Sequence, residues 1–140
     1  MINLHITDTK FLMGKLFKSD MFDNLFVSHV ELNTFMNITF DSTYEPCQWQ
    51  TLRPYVHQLV KGAKTPKSLK IVFYLAKEKG ETLAVGHDFF LNLYFQDGEL
   101  SFTTGTSSKT FTLDKGHEHI WEDSVRKFFK KHTVEFTLLE

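Results

Sequence analysis

Four groups of side chains in this sequence have types and spacings that bear on chemistry. The first is Gly105-Thr106-Ser107-Ser108-Lys109-Thr110, which holds some of the residues of a phosphate-binding loop. Such a loop needs glycine directly before the lysine and a helix N-terminus behind it, because first-turn amides carry the anion. Here serine precedes the lysine and strand-like residues lie on both sides, so the stretch reads as a turn. The second group is His117, His119, Glu122 and Asp123. His119 shares a helix face with Glu122 and Asp123, whereas His117 points nearly the opposite way. The other expected helices offer only His57 and scattered acids, so no metal site and no cofactor is assigned. No serine sits in a nucleophile elbow, and His5, His29 and His57 read as packing or surface residues. No catalytic residue is assigned; an enzyme whose site is assembled from distant residues would leave no local signature.

The third group is basic. Residues 51–79 carry seven Lys or Arg against one acid, although the chain as a whole has a net charge of −1. Arg53, Lys61, Lys64, Lys67 and Lys70 are the candidate anion-binding residues, with Lys77 and Lys79 beyond them. Nucleic acid is therefore a second reading for the partner, behind a protein partner or a second copy of the chain. A lysine-rich connection is also what an ordinary solvated surface looks like.

The elements that must position these residues follow from hydropathy. Ile2, Leu4 and Ile6 alternate as a strand, and Asp8 can cap a helix over about 8–18 with Phe11, Leu12, Leu16 and Phe17 on its apolar side. From 26 to 40 the even positions are apolar, which predicts a hairpin turning near Leu32-Asn33-Thr34, with an odd-length loop or a bulge to keep parity. Pro54 belongs in a first helical turn, so a second helix starts near 51–52 and stops at Gly62. Leu69, Ile71, Phe73 and Leu75 make a strand, and 77–87 reads as a polar loop. Asp97-Gly98 predicts a type I′ hairpin that sets Phe95 opposite Leu100 and Leu93 opposite Phe102. A turn at 105–108 would then set Phe102 opposite Phe111, completing a three-stranded meander over about residues 88–113. Asp114 caps a last helix with Ile120, Trp121, Val125, Phe128 and Phe129 as its stripe, and 134–138 closes as a strand.

The meander supplies the fourth group. Its outer face would present Phe90, Tyr94, Thr103 and Thr110, the candidate surface for a protein partner or homodimer. The expected fold is α+β: one domain over 1–140, with a largely antiparallel sheet packed against about three helices. Hydrophobic residues at 41%, with 15 Phe, supply the core, and 24% charged residues exclude a disordered chain. No apolar run approaches a membrane span, no signal pattern opens the chain, and one cysteine suits a reducing compartment, so the expected location is cytoplasmic.

Two stretches, Leu52-Arg53-Pro54-Tyr55 through Lys61-Gly62-Ala63-Lys64-Thr65-Pro66 and Phe102-Thr103-Thr104-Gly105-Thr106-Ser107 through Phe111-Thr112-Leu113-Asp114-Lys115, together with Ile6-Thr7-Asp8, carry a resemblance. The chain resembles a domain-of-unknown-function family of Gram-positive bacterial proteins across nearly its whole length, with 41–49 the most divergent part. The resemblance implies a free-standing bacterial cytosolic protein, and brings no activity and no catalytic residue with it.

Overall fold

The computed structural model describes residues 1–42, 45–62, 66–108 and 116–139. Its elements are β1 (Asn3–Ile6), α1 (Thr9–Lys18), β2 (Phe26–Asn33), β3 (Asn37–Asp41), β4 (Cys47–Gln48), α2 (Trp49–Gly62), β5 (Ser68–Tyr74), α3 (Lys77–Leu83), β6 (His87–Gln96), β7 (Glu99–Ser108), α4 (Gly116–Lys131) and β8 (Phe136–Leu139). The strands form one sheet in the order β3-β2-β5-β6-β7-β1-β8, with β4 beside β2. Every pairing in it is antiparallel. The fold is therefore α+β on an antiparallel sheet.

Local chemistry accounts for most boundaries. The Phe11 amide donates to Asp8 Oδ1 at 3.0 Å and starts α1. The β2–β3 hairpin pairs Asn33 with Asn37, leaving a three-residue loop of the odd length that parity demands. A bulge between Val27 and His29 flips β2 once more, so Val27 is buried while Phe26 stacks on Tyr74 across the opposite face. At the β6–β7 turn Asp97 and Gly98 have φ of 54° and 80°, as a type I′ turn requires, and Phe95 meets Leu100 and Leu93 meets Phe102.

Four expectations are corrected. β7 runs through 105–108 as strand, paired with β6 as far as His87–Ser108, so no turn lies there. Its other edge belongs to β1, with Leu4 opposite Phe102, and not to a third meander strand. Leu4 and Ile6 bury almost completely in that position, and the Ile2 amide donates to Thr104 Oγ1 at 3.0 Å, which prolongs the pairing. Residues 109–113 themselves, and the Asp114 cap, lie outside the described residues.

The second correction concerns α2, which starts at Trp49 and contains Pro54 in its interior. The loop before β2 makes the early start favourable: Trp49 and Gln50 amides donate to Leu25 and Asp23 carbonyls, and the Trp49 indole donates to Leu16 O at 2.8 Å. Third, 77–83 is helical, which raises the described helices to four. Fourth, Phe11 and Ile120 stay exposed.

The core lies between one face of the sheet and the helices. Leu32, Leu69, Ile71, Phe73, Leu91, Leu93, Leu100 and Phe102 line it from the strands, and Leu16, Trp49, Val56, Trp121 and Phe129 close it from above. The opposite face carries Phe26, Tyr74, Phe90, Lys70, Tyr94 and Thr103, none of them fully buried.

Candidate functional site: a groove between α3 and α4

α3 packs on the sheet at Gly80. Gly80 is buried, and a Cβ there would stand 3.4 Å from the Phe89 ring. On the other side α4 is fixed by the Trp121 indole, which donates to Phe90 O at 2.8 Å and sets its ring 5.5 Å from Phe89. Both helices thus hang on neighbouring residues of β6, and a gap remains between them. The segment 20–25, which connects α1 to β2, closes one end of this gap.

The result is a groove of about 530 Å³. Its walls are apolar, built from Leu25, Leu75, Leu83, Leu91, Trp121 and Val125. Its rim is polar and weighted toward positive charge, with Lys79, Lys131 and His132 against the single carboxylate of Asp20. Burial is the largest cause holding the His132 imidazole below its ordinary pKa, followed by Lys131 and Lys15; Asp20 opposes them. The ring stands edge-on to Phe128 at 5.1 Å. Volume, apolar walls and a few polar groups at the mouth are the attributes of a small-molecule site.

Hydropathy assigned Trp121, Val125 and Phe128 to a core stripe and 77–87 to a loop, so the groove was not foreseen.

Among the described residues the cations of the basic block lie apart. Arg53 turns inward: Nη1 donates to Phe17 O and Ser19 O at 3.3 and 3.1 Å, and Nη2 to Asp23 Oδ2 at 3.0 Å. Lys61 ends α2 in the helical layer, whereas Lys70 lies on the other face of the sheet, between Glu31 and Tyr94 in the register. Lys67 stands exposed before β5, and Lys64 lies outside the described residues.

The sheet-face candidates do share a surface. Phe90, Tyr94 and Thr103 project from the face without helices, where Asn92 Nδ2 donates to Thr103 Oγ1 at 3.4 Å; Thr110 lies outside the described residues. Phe26, Tyr74 and Phe90 stand in register across three strands beside them.

The histidine and acid cluster divides. His117 stacks on His87 with ring centroids 3.9 Å apart, while His119 lies 3.6 Å from Glu122. Among the described residues no group of three or more His, Cys, Asp or Glu is placed to hold a metal ion. No described helix is long and apolar enough to cross a membrane.

No curated protein and no solved structure matches the chain. One family model does, over residues 15–137, from within α1 to within β8, and the chain belongs to that family, DUF5721, a family of unknown function.

Proposed function

We propose that this chain is a non-catalytic binding domain that takes a small, largely apolar molecule into the groove between α3 and α4. The observation that supports it is the groove itself, about 530 Å³ with Leu75, Leu83, Leu91 and Trp121 turned into it. That volume lies within the roughly 300–1,000 Å³ of small-molecule sites. A bacterial cytosol is the setting the sequence resemblance suggests, and a single cysteine suits it.

The test is titration of the full chain with Nile red, a neutral apolar dye. Saturable binding that quenches Trp121 emission is expected, because Trp49 is fully buried away from the groove. Leu83→Glu should weaken binding by at least about tenfold, since an unpaired carboxylate against an apolar wall costs more than the ~1.4 kcal/mol a factor of ten represents. Equal binding by the variant, or none by the wild type, would refute the reading.

A protein partner or a second copy on the open sheet face is the second reading, favoured by the aromatic row Phe26–Tyr74–Phe90 and the exposed Tyr94. Sedimentation should then show a dimer that Tyr94→Glu dissociates; a monomer at every concentration with no effect of the variant counts against it. Nucleic acid stands behind both, because the described cations of the basic block lie on different sides of the sheet.

A further inference from the structure

The groove has a charged rim as well as apolar walls, and the sign of that rim narrows the ligand. Lys79 stands on α3, Lys131 on α4 and His132 just beyond it, and all three line the same mouth. Neither lysine forms an ion pair among the described residues, so both ammonium groups face solvent at the opening. Asp20 is the one acid on that rim. The C-terminal end of α4 adds a partial negative charge of about half a unit, which falls off within a turn and meets Lys130 and Lys131 there. Two fixed cations therefore outweigh one carboxylate and the helix end. Asn24 and Ser124 complete the rim with neutral donors suited to the oxygens of an anion.

We infer that the ligand is a soluble single-chain amphiphile whose apolar tail lies along the groove and whose anionic head is held at the mouth by Lys79, Lys131 and His132. This rests on the groove being the binding site. The tail needs the walls already described, and the head needs only charge complementarity, which long exposed lysines supply with little strain.

His132 makes the head site responsive to pH. The charged groups that face it are Lys131 on α4, Lys15 on α1 and Asp20 at the end of α1. Its pKa is lowered from 6.5, so the ring is neutral at pH 7 and gains its charge only in more acid solution. An anion that stays ionised throughout must therefore bind more tightly as pH falls through that range.

The experiment is displacement of Nile red from the full-length protein by 1-decanesulfonate and by 1-decanol. Both are expected to displace the dye. Lys79→Glu with Lys131→Glu should weaken the sulfonate by about tenfold or more, as reversal of two nearby charges implies, and leave decanol unchanged. As the pH falls below 6.5 the sulfonate should bind more tightly, by up to about fivefold, the effect of one charge at roughly 4 Å in water, and His132→Gln should remove that gain. If the charge reversal leaves sulfonate binding intact or weakens decanol equally, the anionic head is wrong while the groove reading stands. A flat pH profile, or one that survives His132→Gln, overturns the place given to His132. If neither compound displaces the dye, the groove reading fails with it. Recruitment to anionic phosphatidylglycerol vesicles without dye displacement would replace the soluble amphiphile with a membrane surface.

Discussion

Phe22→Ala is expected to lower the stability of the fold by about 4 kcal/mol, within the range of roughly 3–5 kcal/mol for removing a buried aromatic ring. Phe22 is fully buried although it belongs to no helix or strand. Its ring lies nearly parallel to Phe73 of β5 at 5.3 Å and to Phe102 of β7 at 5.9 Å, and meets Phe128 of α4 edge-on at 5.7 Å. One connecting segment is thereby tied to two strands and a helix, and truncation would leave all three without their common neighbour. Domains of this size have about 5–15 kcal/mol in total, so the variant should be folded at 25 °C but unfold at a much lower urea midpoint. Phe22→Leu keeps most of the volume and should cost about 1–2 kcal/mol. Because Met21 and Leu25 beside it line the groove, dye affinity should fall in Phe22→Ala and recover largely in Phe22→Leu. A loss under about 1 kcal/mol for alanine would mean that the ring does not hold the segment in place.

The same residue shows where the sequence is readable and where it is not. Phe22 follows a polar break, so periodicity says only that it packs somewhere; its three aromatic partners lie 51, 80 and 106 positions further along. Local signals performed well wherever two neighbours in sequence are also neighbours in space. The Asp8 cap, the three-residue β2–β3 loop and the type I′ turn at Asp97-Gly98 are all of this kind. The partner of β7 is not. Residues 109–113 and β1 both present alternating apolar side chains, and parity alone cannot decide which of two compatible strands takes an edge. The structure gives it to β1, which arrives from the far end of the chain.

The site was hidden for a related reason. A groove is a place where packing stops, and hydropathy marks the same residues apolar whether or not another element covers them. Val125 meets the core and lines the groove at once, and Leu83 lies on a helix of seven residues whose charges suggested a loop. The basic block shows the opposite limit. Charge counts locate cations along the chain, but they do not show that Arg53 turns its guanidinium toward the carbonyls at the end of α1.

That inward turn carries the other large effect. Arg53→Ala is expected to destabilise the protein by about 3–5 kcal/mol, because it removes one partner of a largely buried ion pair and leaves the other charge uncompensated. Asp23 is only 9% exposed, and its Oδ2 accepts from Arg53 Nη2 at 3.0 Å. The two remaining guanidinium bonds close Phe17 O and Ser19 O, carbonyls at the C-terminal end of α1 that α1 itself cannot satisfy. The Asp23 carbonyl in turn accepts from the Gln50 amide in the first turn of α2. Arg53 therefore joins the end of one helix, the segment that carries Phe22, and the start of another. Lysine cannot substitute, since a single ammonium lacks the planar fork that reaches a carboxylate and two carbonyls together, so Arg53→Lys should recover less than half of the loss. Removing both charges, Asp23→Ala with Arg53→Ala, should cost less than the sum of the two single changes, and urea denaturation of the four proteins measures that coupling directly. The coupling should survive high salt, because screening acts weakly on a pair this buried, in contrast to the exposed Asp123–Arg126 pair. Lys61→Ala and Lys67→Ala, at exposed positions, should each change stability by no more than about 0.5 kcal/mol. A small effect at Arg53, or strict additivity with Asp23, would return that residue to the list of cations free to meet a ligand.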